Sequence, residues 1–157
     1  MKSLMLVVVV MSVGLLTSLS TRAEQQAVAQ QGPEQKLWLT DFDEALRVAA
    51  VKKLPVLVDF TGSDWCGWCI RLDKEVFSQE AFKAYARENL VLVKLDFPRK
   101  PLPREQAARN QALADKYKIV GFPTIVLVDA EGRELSRTSY KPGGADAYVK
   151  HLKALLD

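Results

Sequence analysis

Asp59-Phe60-Thr61-Gly62-Ser63-Asp64-Trp65-Cys66-Gly67-Trp68-Cys69 carries an apolar segment into the only two cysteines of a 157-residue chain. Val56 to Phe60 is a short run of β-formers, apolar at all but one position, the pattern of a strand buried on both faces. Asp59 is the anomaly in it, since a carboxylate inside such a strand is costly unless paired, and desolvation pushes its pKa toward the working pH. A helix is predicted from about Cys66 to Val76. Spaced i, i+3 at its start, the two sulfurs fall on one face within bonding reach of each other. Free backbone N–H groups and the helix dipole favour an anion at the first thiol, so Cys66 reads as a nucleophile with a pKa below the free value of ~8.5. Cys69, one turn inside, reads as the thiol that resolves a mixed disulfide. Two plainer readings remain beside this one. A purely stabilising cross-link closes only a four-residue loop, worth roughly 2 kcal/mol against ~3 for fifteen residues. Half a metal site would need a second chain, because two cysteines and one histidine do not make a tetrahedral ligand set.

Outward from this stretch, helices and strands alternate. Phe42, Ala45, Leu46, Ala49 and Ala50 form one stripe of a helix that starts near Asp41, with Thr40 as the expected N-cap and Pro55 beyond its end. Ser78 is the expected cap of a helix running to about Glu88, and Leu90 to Phe97 is a second buried strand stopped by Pro98, Pro101 and Pro103. A helix from about Arg104 to Lys116 follows. Thr124 to Val128 and Glu134 to Ser139 flank the turn Asp129-Ala130-Glu131-Gly132 as an antiparallel hairpin, and a last helix runs from about Ala145 to Leu156. Strands separated by helices are expected to pair in parallel through right-handed crossovers, and the hairpin antiparallel. The expected fold class is α/β: one domain over 37–157, a mixed central sheet with helices on both faces.

Composition narrows the partners. The net charge is +3 with no extended basic cluster, which offers no footprint for nucleic acid. The stretch Arg99-Lys100 with Arg104 reads as a solvated loop. No Walker loop, dinucleotide fingerprint or Ser-His-Asp arrangement is present, and His151, the single histidine, reads as a flank residue of the last helix. Lys2, the apolar run Leu4 to Leu19 and the small residues Thr21 and Ala23 have the order of a secretory signal removed near Ala23. The run is shorter than the roughly 20 apolar residues of a membrane span, though an uncleaved anchor is the rival reading. Cleavage would take the charge to +1 and leave Glu24 to Lys36 as a polar leader. The expected compartment is periplasmic or secreted, where two cysteines can oxidise.

The ordered set Asp59-Phe60, Trp65-Cys66-Gly67-Trp68-Cys69, Lys94-Leu95 and Gly121-Phe122-Pro123-Thr124 resembles the thioredoxin superfamily over nearly the whole of 37–157. Asp64 to Phe77 and Leu95 to Pro103 look most like its small secreted members, including the periplasmic DsbH type and the C-terminal domain of DsbD. The resemblance implies a thioredoxin fold, a cis Phe122-Pro123 bond beside the disulfide, and a buried Asp59 that relays a proton near Cys69 with Lys94 beside it. It also implies that Phe122 and Pro123 meet the substrate chain; Trp65 and Trp68, beside a helix-start thiol, read as an apolar substrate rim with Gly67 between them, ordinary packing residues being the alternative. Two departures are visible: the spacer from Asp59 to Cys66 is one residue longer than in thioredoxin, and Trp68 stands where thioredoxin has proline and the protein disulfide isomerases have histidine.

The function read from these residues is thiol:disulfide exchange by the Cys66/Cys69 dithiol, acting as a reductase of protein disulfides outside the cytoplasm. The dithiol itself carries two electrons, so neither an organic cofactor nor a metal is required. Gly67-Trp68 adds no cation to stabilise a thiolate, which predicts a potential of roughly −230 to −270 mV, although Arg71 and Lys74 lie within reach along the helix. Protein disulfides are the expected substrates, a DsbD-type membrane protein the expected electron donor, and a monomer the expected state. The alternatives are a dithiol oxidase or isomerase, and a non-catalytic binding or chaperone module of the same fold.

Overall fold

The strand anticipated around Asp59 spans Val56–Thr61 with all six residues buried, and it lies at the centre of a five-stranded sheet. The computed structural model describes residues 37–157; the signal, its cleavage near Ala23 and the leader lie outside the described residues. The strands are β1 (Trp38–Leu39), β2 (Val56–Thr61), β3 (Val91–Asp96), β4 (Thr124–Val128) and β5 (Glu134–Thr138), ordered β1-β3-β2-β4-β5. The helices are α1 (Phe42–Lys52), α2 (Gly67–Leu72), α3 (Glu80–Asn89), α4 (Arg104–Lys116) and α5 (Gly144–Leu156). A π-turn, Asp73–Phe77, extends α2.

Alternation along the strands sends successive side chains to opposite faces. Val56, Val58 and Phe60 of β2 join Val91, Val93 and Leu95 of β3 against Phe42, Ala45 and Ala49 of α1 and Ala114 and Tyr117 at the end of α4. Leu57, Leu92, Ile125 and Leu127 face the other way, against Leu72, Val76 and Phe77 of the α2 region, Phe82 and Ala86 of α3, and Tyr148 and Leu152 of α5. Both faces are thus covered, as the almost wholly apolar strands require.

The structure corrects the sequence reading at several points. β4 does not run parallel to its neighbour: it pairs antiparallel with β2, Phe60 opposite Thr124 and Val56 opposite Val128. The connection through α4 returns the chain to the sheet end where β3 finishes, because seven-residue links, 97–103 and 117–123, flank the helix and leave enough chain for either direction. Asp41, not Thr40, caps α1, its Oδ1 accepting the Glu44 N–H at 2.8 Å. Gln79 occupies the N-cap of α3, and the Ser78 hydroxyl donates instead to Asp73 Oδ2 at 3.0 Å. The short β1, paired in parallel with β3, was not anticipated, since two residues carry no periodicity. The hairpin turn is as expected, with Gly132 at φ +73°, a left-handed conformation that favours glycine.

Candidate active site

The end of β2 delivers Thr61 and a tight loop to the cysteines. Four long-range bonds hold that loop to the β3–α4 corner. Asp96 accepts both the Ser63 N–H at 2.9 Å and the Ser63 hydroxyl at 2.6 Å, Asp64 accepts the Arg99 N–H at 3.0 Å, and Trp65 Nε1 donates to the Phe97 carbonyl at 2.7 Å. The Asp64 carboxyl is held below its ordinary pKa chiefly by the Arg99 backbone bond. Gly62 is needed beneath Trp65, because a Cβ there would stand 2.5 Å from the indole. Asn110 of α4 is buried and donates to the Asp96 carbonyl at 2.9 Å, tying the same corner to the helix.

Cys66 is the N-cap of α2, so the helix begins one residue later than the sequence suggested. Its Sγ accepts the Cys69 N–H at 3.2 Å, and the two sulfurs are joined as a disulfide with Cα atoms 5.2 Å apart. Both cysteines are buried, 7% and 4% exposed, so the inner thiol is only slightly the more covered of the two. A sulfur at this cap is where a thiolate would meet unpaired backbone N–H groups.

Two unlike walls flank the disulfide. On one side Trp65 meets Phe122 edge-on at 5.8 Å, and Phe122 meets Phe97 at 5.1 Å. These rings, with Ile119, the fully exposed Val120 and α4, line a cavity of about 570 Å³. On the other side the Trp68 ring lies 5.3 Å from Tyr140, and the Arg71 guanidinium sits over both rings at 5.6 and 5.2 Å. Glu75 closes this wall, accepting from Arg71 Nε at 2.8 Å and from the Tyr140 hydroxyl at 2.7 Å, bonds that keep its carboxyl below the ordinary range. The Phe122–Pro123 bond is cis, and the Pro123 carbonyl accepts the Ser139 hydroxyl at 2.7 Å. Gly67 is exposed, with nothing within 4 Å of where a Cβ would stand. A larger hollow of about 870 Å³ lies at the opposite end of the sheet, around Leu54, Pro55 and Asp129, away from the sulfurs.

The chain aligns from residue 42 to residue 155 with the thioredoxin-like domain family. It is 42% identical over 116 residues to the disulfide bond reductase DsbH of Chlamydia pneumoniae, covering 73% of this chain and 70% of that one. The thioredoxin-related protein DsbJ of the same organism is 33% identical over 124 residues, 78% of this chain and 35% of DsbJ. A solved structure of a DsbH oxidoreductase superposes with a TM-score of 0.72 at 36% identity, over 84% of this chain and 97% of that one. The chain belongs to the thioredoxin-like family. This thioredoxin-like protein is a thiol:disulfide oxidoreductase, and its single cysteine pair is the one described above.

Within the thioredoxin-like frame, Asp59 lies on the sheet face covered by α2 and is 3% exposed. Its Oδ1 has no hydrogen-bond partner among the protein groups. Burial drives its pKa from 3.8 up to about 7, against the pull of Lys94 and with help from Asp73 and Asp96. Lys94 stands beside it in register on β3, as expected, but its ammonium goes elsewhere: Nζ is 3.3 Å from Asp73 Oδ1 and 5.2 Å from the Trp38 ring centroid. His151 is the flank residue anticipated, with Nε2 2.9 Å from the Thr138 hydroxyl and its pKa lowered by burial and then by Lys141. Among the described residues no cluster of three or more potential metal ligands occurs. Sequence reasoning missed Ser63, Phe97, Asp73, Glu75 and Tyr140. Phe97, an aromatic residue just before the prolines, and Asp73, seven positions after Cys66, were the available signals.

Proposed function

We propose that this protein reduces disulfides of client proteins outside the cytoplasm, with Cys66 as nucleophile and Cys69 as resolving thiol. In the reduced form the Cys66 thiolate attacks one sulfur of a client disulfide, forming a Cys66–client mixed disulfide and releasing the other client sulfur as thiolate. Cys69 then gives its proton to Asp59 and attacks Cys66 Sγ, which releases the second client thiolate and leaves the Cys66–Cys69 disulfide. Two electrons pass from the dithiol to the client. The observation that carries this reading is the Cys66 sulfur at the helix cap, in hydrogen-bond contact with the Cys69 N–H. Trp65, Gly67, Trp68, Phe122 and Pro123 form the client rim, an assignment supported by the exposed indoles, 40% and 57%, on either side of the sulfurs.

The reducing direction is supported by Arg71. The cation nearest along the helix is engaged by Glu75 and lies over the Trp68 and Tyr140 rings, so it is not free to lower the thiol pKa as a strong oxidant requires. Recharging then needs a dithiol donor, for which a DsbD-type membrane protein is the candidate, and the signal-like residues 1–23 support an extracytoplasmic site of action. The protein works as a monomer in this reading. Equilibration of the purified protein with glutathione buffers, read by mass spectrometry, tests it. The expected potential is roughly −230 to −270 mV; a value above about −180 mV indicates an oxidase or isomerase instead. Absence of any rate increase in insulin reduction by dithiothreitol indicates a binding module.

A further inference from the structure

Asp59 and Lys94 are direct neighbours in the β2–β3 ladder, and a buried carboxylate beside a lysine ordinarily closes an ion pair. Here it does not. The Lys94 ammonium is held away by Asp73 Oδ1 at 3.3 Å and by the face of Trp38, while Asp59 Oδ1 is left without a partner among the protein groups. The Asp73 carboxylate is itself fixed, because its other oxygen, Oδ2, accepts the Ser78 hydroxyl at 3.0 Å. That second bond depends on the π-turn. In an α-helix residues i and i+5 do not face each other, but the widened turn brings the Ser78 N–H onto the Asp73 carbonyl at 2.8 Å and the serine side chain with it.

We propose that Asp73 is a positioning residue: anchored by Ser78 across the π-turn, it holds the Lys94 ammonium away from Asp59 and so keeps that carboxyl free to accept a proton. The inference rests on the reading in which Asp59 takes the Cys69 proton. The Asp73–Lys94 pair is too exposed to matter much for stability, 48% and 28% of the side chains, so its consequence is electrostatic placement. The groups facing Asp59 are Lys94 and Asp96 from β3, Asp73 from the π-turn and Tyr148 from α5, while β4 presents the apolar Ile125. Removing the Asp73 charge ends a repulsion and releases a cation toward Asp59, and both changes favour the ionised carboxyl.

Carboxyl-carbon NMR titration of Asp59 in the oxidised full-length protein tests this. In Asp73→Asn the Asp59 midpoint falls by about one pH unit. In Ser78→Ala, which removes only the anchor, it falls by less. In a Lys94→Met background the Asp73→Asn effect drops below half. An unmoved midpoint in Asp73→Asn, or a full-sized effect without Lys94, overturns the proposal. The pH profile of mixed-disulfide resolution separates the two levels of argument: a profile that follows the Asp59 midpoint supports both. An Asp59 midpoint that moves while the profile stays still leaves the hold on Lys94 standing and overturns Asp59 as the proton acceptor.

Discussion

The two faces of the central sheet are built from the same three strands and yet do different work. Facing α1 and α4, β2 and β3 present Val56, Val58, Phe60, Val91, Val93 and Leu95, apolar from one end to the other. Facing α2, α3 and α5, the same strands begin with Leu57 and Leu92 and then turn polar, through Asp59 and Lys94 to Thr61 and Asp96. The first face has one task, to be packed. The second is packed at one end and chemical at the other, and the change occurs within one strand residue pair, just where α2 begins to carry the cysteines. Along β2 burial is equally complete on both faces, so the second must bear a desolvated carboxyl that the first never meets.

This contrast can be broken by substitution. Phe60→Ala, at a fully buried ring packed edge-on against Tyr117, should cost about 3–5 kcal/mol in chemical denaturation while leaving the pH profile of exchange unchanged. A shifted profile would show the faces to be coupled. Asp59→Asn should act in the opposite sense. With a folded pKa of about 7 and an unfolded one near 3.8, the wild-type protein is most stable below about pH 4, loses stability as pH rises toward 7, and stays at the lower level above it. At pH 8 the asparagine variant should therefore be the more stable, by on the order of 4 kcal/mol at most, with the gain gone by pH 4, and it should resolve mixed disulfides more slowly. Equal stability curves from pH 4 to 8 would mean that the carboxyl is hydrated in solution.

Smaller effects sharpen the picture. Asn110→Ala removes a buried donor to the Asp96 carbonyl and should cost about 1–3 kcal/mol, with weakened tethering of the Ser63–Trp65 loop seen as faster amide exchange at Ser63. Arg133→Ala, remote from both faces, breaks exposed contacts to Asp129 and Glu131 and should leave the melting temperature and the exchange rate unchanged within error.

The features that sequence alone determined are those with a local signal. Apolar runs bounded by prolines marked β2 and β3, the i, i+3 cysteines marked the reactive helix start, and one carboxylate in an apolar run marked Asp59, because each is set by residues within a few positions of one another. What tertiary structure decided joins residues far apart in the chain. The antiparallel entry of β4, the Trp65–Phe97 bond across 32 residues, the Glu75–Tyr140 bond across 65 and the Lys94–Asp73 pair across 21 have no local pattern to announce them. Lys94 shows the physical reason most directly: its neighbour in the ladder is Asp59, but a flexible lysine goes where an anchored carboxylate and an aromatic face meet it at the protein surface, and both come from other elements.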